Sequence, residues 1–149
     1  MIDSKELRLG NYVTDESYDV FKRIIKVESI NDKGINLEIE DDGRYPEIAN
    51  YIIEPEYRFD TLYPIPLTKD WLLRFGFKKQ LDSSYEKNDI SLFLDKRFKT
   101  NLYLQTNDSS ENFKWFSFER KIEYIHELQN LYFALTREEL TLNPTKNAL

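Results

Sequence analysis

The sequence predicts an α+β fold. We expect a small N-terminal antiparallel β unit with SH3-like barrel topology, a short linking helix, and an antiparallel sheet with one long C-terminal helix packed on it. Apolar and polar residues alternate over 25–28 and 35–40, which is typical of half-buried strands. Prolines and a glycine bracket a short helical pattern at 68–75. Apolar residues recur at helical spacing over 121–135, which indicates a core-packed helix.

The N-terminal unit centres on a predicted hairpin. The turn sequence Asn31-Asp32-Lys33-Gly34 separates its two strands. A short turn leads into an opening strand over 7–13, and residues 59–63 are expected to form the last strand of this unit.

The linking helix follows the extended segment Pro64-Ile65-Pro66-Leu67. Thr68 is expected to be its N-cap, and Gly76 is expected to end it in a left-handed conformation. Trp71, Leu72 and Phe75 lie at helical spacing within it.

Five short strands are predicted after this helix, joined by polar turns in an antiparallel meander. The candidate positions are 77–81, Tyr85, 90–94, 102–105 and 113–118.

The C-terminal helix is expected to bury a broad apolar stripe, which consists of Tyr124, Leu128, Leu131 and Leu135, widened by Ile122, Ile125 and Tyr132. His126 then projects from the opposite face with Glu123, Glu127 and Asn130, as an ordinary surface or boundary residue. After the helix, Thr136 to Glu139 either opens another helical turn or leads into a strand at 140–142.

Composition limits the chemistry. The chain has 149 residues, the size of one domain, and we expect a single compact domain over 1–149 with sub-units at 1–63 and 64–149. It contains no cysteine and one histidine, which excludes thiolate catalysis, iron–sulfur clusters and a two-histidine metal site within one chain. We therefore expect no cofactor, no metal and no catalytic residue. The start of the chain has no apolar run of signal-peptide length, and a cytoplasmic location is expected.

The net charge of −6 is uneven. Residues 1–60 carry 15 acidic and 8 basic side chains, a net −7, whereas residues 61–149 carry 12 and 13, a net +1. The acidic part can face a basic partner or simply keep the chain soluble. Its densest run of carboxylates is a candidate partner-binding site, or a solvated strand edge. That run consists of Glu38, Glu40, Asp41 and Asp42.

A second candidate surface combines cations and aromatic rings. The cations are Lys96, Arg97 and Lys99, and the aromatic residues Trp115, Phe116 and Phe118 follow in a strand. Such a combination can stack the bases of single-stranded nucleic acid. The alternatives are that the aromatics line the sheet core, or that one of them is exposed as a protein-binding hot spot.

Three segments resemble a family of small bacterial and prophage proteins to which no enzymatic activity is assigned. They are Glu6-Leu7-Arg8-Leu9-Gly10-Asn11-Tyr12-Val13, Pro64 to Phe77 (PIPLTKDWLLRFGF) and Ile122 to Leu140 (IEYIHELQNLYFALTREEL). Arg137 stands where the family's pattern has a glycine after the helix. The resemblance implies a phage-type protein that binds host machinery, as inhibitors of CRISPR nucleases do.

These observations together predict a non-enzymatic binding protein that inhibits a host defence protein, such as an RNA-guided CRISPR nuclease or its RNA complex. One alternative is an accessory protein that binds single-stranded nucleic acid through the basic and aromatic residues. Another is a protein that sequesters a nucleotide. No membrane partner is expected.

Overall fold

The computed structural model describes residues 2–15, 24–31, 34–39, 62–80, 84–88, 90–94, 100–106, 114–118 and 122–143, with the backbone alone at Ser4, Ile39, 93–94, 100–106 and 114–118. A 3-10 helix at Ser4–Glu6 precedes all other elements. The strands are β1 (Tyr12–Val13), β2 (Ile25–Asn31), β3 (Gly34–Ile39), β4 (Lys78–Lys79), β5 (Ser84–Lys87), β6 (Ile90–Leu94), β7 (Thr100–Thr106) and β8 (Lys114–Phe118). The helices are α1 (Lys69–Arg74) and α2 (Ile125–Thr136). The predicted α+β class is confirmed.

The first sheet has the strand order β1-β2-β3, and both pairs are antiparallel. The predicted hairpin is confirmed, since Asn31 pairs with Gly34 at its closed end. Ile25, Val27 and Ile35 are buried, because alternate residues of a strand point to the same face of the sheet. The register shifts between Val27 and Ser29, which marks a β-bulge.

The described strands of this unit form an open sheet, so the SH3-like barrel remains a prediction. Of the predicted last strand, the structure describes Leu62 and Tyr63, and Tyr63 forms a bridge with Thr14. Leu62 is buried in one cluster with residues of the 3-10 helix region and the sheet. That cluster contains Ile2, Leu7, Val13, Ile25, Val27, Ile35 and Leu62.

The second sheet is the predicted antiparallel meander, with the order β4-β5-β6-β7-β8. Its buried residues include Tyr85, Ile90 and Leu92. The ammonium of Lys87 on β5 donates a 2.6 Å hydrogen bond to the backbone oxygen of Phe75, which ties this strand to the end of α1.

The structure corrects the predicted grouping of the C-terminal helix. The chain divides into two compact units, one made of Met1–Pro66 with Tyr124–Leu149 and the other of Leu67–Glu123. Helix α2 therefore belongs with the first sheet, where it contacts β1, and not with the second sheet as the sequence suggested. The physical reason is a set of hydrogen bonds from polar side chains of α2 to the N-terminal segment.

Helix α1 begins and ends close to the predicted residues. Thr68 is the N-cap, although its side chain makes no capping hydrogen bond. At the other end Gly76 has a φ of 83°, and its N–H donates to Leu73 O (2.9 Å) while Phe77 N–H donates to Leu72 O (3.0 Å). These two bonds define a Schellman motif, which explains the glycine.

Helix α2 buries part of the predicted stripe, namely Ile125, Leu128 and Tyr132, but not its C-terminal end. Leu135 is 38% exposed, and Leu131 is only partly buried. The buried residues are Ile125, His126, Leu128, Gln129 and Tyr132. Residues 140–142 form no strand, and the described residues after the helix, 137–143, form no further helical turn.

Helix α2 ends at Arg137, which has a φ of 64° and donates its N–H to Phe133 O at 2.8 Å. A residue with a Cβ is strained in this left-handed conformation, by roughly 1–2 kcal/mol. We expect Arg137→Gly to raise the free energy of unfolding by about 0.5–1 kcal/mol, because the loss of strain exceeds the added freedom of the unfolded chain. Urea unfolding measures the change.

The matched control is Arg137→Ala, which removes the same exposed side chain but keeps the Cβ, and should change stability by less than about 0.5 kcal/mol. A lower free energy of unfolding for Arg137→Gly than for Arg137→Ala would show that backbone strain at residue 137 does not lower the stability of the protein.

No helix within the described ranges is long and apolar enough to cross a membrane.

Candidate functional site

Gln129 is the central polar residue of the first unit. It is 1% exposed and lies on the buried side of α2. Its oxygen accepts a hydrogen bond from Tyr12 N–H (2.8 Å), while its Nε2 donates to Gly10 O (2.8 Å) and Leu140 O (3.2 Å). One amide side chain therefore satisfies three backbone groups that come from two distant segments of the chain.

The next residue, Asn130, extends these contacts to the N-terminal segment. Its Nδ2 donates to the backbone oxygen of Glu6 (2.6 Å), and its Oδ1 accepts from the side-chain amide of Asn11 (3.0 Å). Asn11 is fully buried, and its oxygen accepts the N–H of Arg8 at 2.8 Å. The two asparagines thus fix the loop before β1 against α2.

Arg8 completes this arrangement at the surface. Its guanidinium lies 3.8 Å from the centre of the Phe133 ring and pairs with the carboxylate of Glu139 at 3.0 Å. We call the five side chains that join the two ends of the first unit the polar clasp. They are Arg8, Asn11, Gln129, Asn130 and Glu139.

The polar clasp was missed by sequence reasoning, which assigned no role to Gln129 and placed Asn130 on an exposed face. One signal was present, since Gln129 lies four residues after Ile125 and three before Tyr132, on the stripe that proves to be buried. A polar residue in such a position needs buried hydrogen-bond partners.

The predicted surface position of His126 is wrong. The residue is 1% exposed in the first turn of α2, and its ring stacks on Tyr124 with 6.0 Å between the ring centres. Neither ring nitrogen has a hydrogen-bond partner. The nearest carboxylate oxygen in an ion-pair geometry, Oε2 of Glu6, is 3.8 Å from Nε2, which is longer than a hydrogen bond. Burial lowers the pKa of His126, and the charges of Glu127 and Glu6 oppose that shift.

Glu38 lies at an exposed position of β3, opposite Lys26 of β2. The ammonium of Lys26 is 2.8 Å from Glu28 and 3.5 Å from Glu38. The hydrogen bond between Lys26 and Glu28 raises the pKa of the lysine and lowers the pKa of that glutamate. The negative charge of Glu38 is therefore partly neutralised by its neighbour. The other candidate carboxylates, Glu40, Asp41 and Asp42, lie outside the described residues.

Trp115, Phe116 and Phe118 lie on β8, the last strand in the order of the second sheet. Phe116 pairs with Leu104, and Leu104 pairs with the buried Ile90. Phe118 pairs with Leu102, and Leu102 pairs with the buried Leu92. Directly paired positions share one face of a sheet. The positions of Phe116 and Phe118 therefore belong to the face of Ile90 and Leu92, and that of Trp115, which pairs with Gln105, belongs to the other face.

The cations Lys96, Arg97 and Lys99 lie outside the described residues, so the basic and aromatic candidates are not brought together by any described contact. Across the parts of the chain that the structure describes, no group of three or more histidine, aspartate or glutamate side chains is placed to hold a metal ion.

The first and last of the three segments that carry the family resemblance contact each other in the polar clasp. In the middle segment, the backbone oxygen of Ile65 accepts the N–H of Ile125 at 3.0 Å. The residues of these segments thus hold the first unit together. No family model, no curated protein and no solved structure compared with the chain matches it.

Proposed function

We propose that the chain is a non-enzymatic binding protein of phage or prophage type that blocks a host defence protein, such as an RNA-guided CRISPR nuclease. The observation that carries this proposal is β8, an aromatic strand at the end of the five-stranded sheet. The resemblance to prophage proteins supplies the class of partner.

The two ends of this sheet differ in a way that favours binding at β8. Strand β4 has two residues, and both are exposed lysines, which is how proteins commonly protect a sheet edge from pairing with another chain. Strand β8 has five residues, Lys-Trp-Phe-Ser-Phe, and pairs with β7 alone among the described strands. An edge of this length can receive a strand from a partner, with main-chain hydrogen bonds giving affinity and aromatic side chains giving specificity.

Trp115 is the residue that we expect to anchor the partner. Its position lies on the face of Ser91, opposite from Phe116 and Phe118. Ser91 on one face and Ile90 and Leu92 on the other are all buried, so the choice of Trp115 follows from its residue type. Tryptophan is also the residue type most enriched at interface hot spots, where truncation to alanine costs about 2 kcal/mol or more.

The test measures protection of a phage from a CRISPR nuclease in cells that express the chain, together with binding of the purified chain to that nuclease. We expect Trp115→Ala to weaken binding by about 30-fold or more and to remove protection, because 1.4 kcal/mol corresponds to a factor of ten. Circular dichroism and urea unfolding should show that the variant remains folded.

The matched control is Leu73→Ala, which truncates another large apolar side chain, 49% exposed on α1, and should leave binding unchanged. Full activity of Trp115→Ala against every nuclease that the wild type inhibits would refute the assignment of β8. If the chain inhibits no nuclease but binds a single-stranded oligonucleotide with a steep salt dependence, the nucleic-acid alternative replaces this proposal.

A further inference from the structure

We propose that residues 67–123 form an inserted module that opens cooperatively while the rest of the chain keeps its fold. The second unit is one continuous stretch, whereas the first unit consists of two stretches, one before and one after it. The limits of the module lie between two neighbouring backbone hydrogen bonds, one in each unit. This inference does not depend on the proposed binding function.

The chain passes from the first unit to the second and back, and each unit pairs its own backbone at these crossings. In the first unit, Ile125 N–H donates to Ile65 O at 3.0 Å. In the second unit, Leu67 N–H donates to Glu123 O at 2.8 Å. The start and the end of the module are therefore joined to each other, and so are the two segments of the first unit that precede and follow it.

Each unit also has buried apolar side chains of its own. In the first unit, Ile65 and Ile125, which flank the module, are fully buried, in addition to the cluster that contains Val27 and Leu62. In the second unit, the described residues that are buried come from α1, the segment after it and the second sheet. They include Trp71, Leu72, Phe75, Phe77, Tyr85, Ile90 and Leu92. A continuous segment of this length is comparable to small domains of roughly 55–65 residues that fold alone.

An unfolded module costs the first unit little. Its ends stay close together, because Pro66 and Tyr124 form an antiparallel bridge within the first unit, where paired Cα atoms lie roughly 4.5–5.5 Å apart. The free energy of closing a flexible loop grows only with the logarithm of its length. The core cluster of the first unit and the hydrogen bonds of the polar clasp join residues outside 67–123. The second unit can therefore open, or be remodelled by a ligand, while the first unit stays folded.

The test is amide hydrogen exchange of the full chain, followed by NMR in the wild type and in Leu72→Ala, which truncates a fully buried side chain of α1. Two amides report on the second unit, Leu92 in β6, a strand that is paired on both sides, and Leu67 at the limit of the module. Val27 and Ile125 report on the first unit, and Ile125 lies at the same limit.

We expect Leu72→Ala to accelerate exchange of the Leu92 and Leu67 amides by about 30-fold or more, because the cavity destabilises the second unit. Exchange of the Val27 and Ile125 amides should change by less than about threefold. The amides of Leu67 and Ile125 then behave differently although their hydrogen bonds are neighbours.

The matched control is Leu73→Ala on the same helix. Leu73 is 49% exposed, and its truncation should leave the exchange of all four amides unchanged.

Equal acceleration of all four amides in Leu72→Ala would overturn the proposal, because the chain would then unfold as a single cooperative unit. Exchange at Leu67 that follows Ile125 rather than Leu92 would also overturn it, because the module would not end at this residue. If the second unit of Leu72→Ala does not fold at all, the first unit decides the outcome. Protected amides at Val27 and Ile125 would then support the proposal, and their loss of protection would refute it.

Discussion

Replacement of Gln129 by leucine should lower the free energy of unfolding by about 3–5 kcal/mol, because it leaves three backbone groups without their partner, at roughly 1–3 kcal/mol for each buried unsatisfied group. These groups are Tyr12 N–H, Gly10 O and Leu140 O. Leucine is close to glutamine in volume, so the loss reports the hydrogen bonds rather than a cavity. Urea unfolding followed by circular dichroism gives the magnitude.

Amide exchange should place the damage in the first unit, at the amides of Tyr12 and Val27, since Val27 N–H donates to Asn11 O next to the site. The matched control is Gln80→Leu. Gln80 is exposed and donates a 2.8 Å hydrogen bond to Glu86, so its replacement should change stability by no more than about 0.5 kcal/mol. A loss below about 1 kcal/mol for Gln129→Leu would show that the polar clasp is not what joins the helix to the sheet.

The second large effect is expected at Leu72 in α1. Its side chain is fully buried, and Leu72→Ala should cost about 2–5 kcal/mol through lost burial and the cavity left behind. Both tryptophans of the chain, Trp71 and Trp115, belong to the same unit, so the tryptophan fluorescence follows the unfolding of that unit.

Leu73 provides a control on the adjacent position of the same helix. It is 49% exposed, and Leu73→Ala should change stability by about 0.5 kcal/mol or less. Equal losses of stability in Leu72→Ala and Leu73→Ala would contradict the assignment of Leu72 to the buried face of α1 and of Leu73 to its exposed face.

Local signals in the sequence predicted most of the elements. Alternation over 35–40 indicated β3, the turn sequence at 31–34 joined it to β2, and Gly76 ended α1. Each of these features depends on residues within a few positions of one another. The boundaries of β6 were also predicted, because polar turns flank a short apolar run.

The orientation of α2 was not predictable in the same way. Its apolar residues form a stripe so broad that the periodicity included Leu131 and Leu135 together with Ile125 and Tyr132, and of these four only Ile125 and Tyr132 are buried. The choice depends on Gln129 and Asn130, whose partners Gly10 and Glu6 are 119 and 124 residues away along the chain. The same choice buries His126, which an amphipathic pattern alone places at the surface.

Local patterns predicted the α+β class, the hairpin, the meander and the approximate limits of α1, because strand alternation, turn residues and caps act over a few neighbouring positions. The helical pattern placed the start of α2 at residue 121, four residues before Ile125. Three features became visible in the folded chain alone: α2 packs with the first sheet, Gln129 satisfies the backbone around Gly10, and His126 is buried without a hydrogen-bond partner. These features arise from contacts between the two ends of the chain, and pairing over such a distance is set by which hydrogen bonds and buried surfaces can form together in the folded protein.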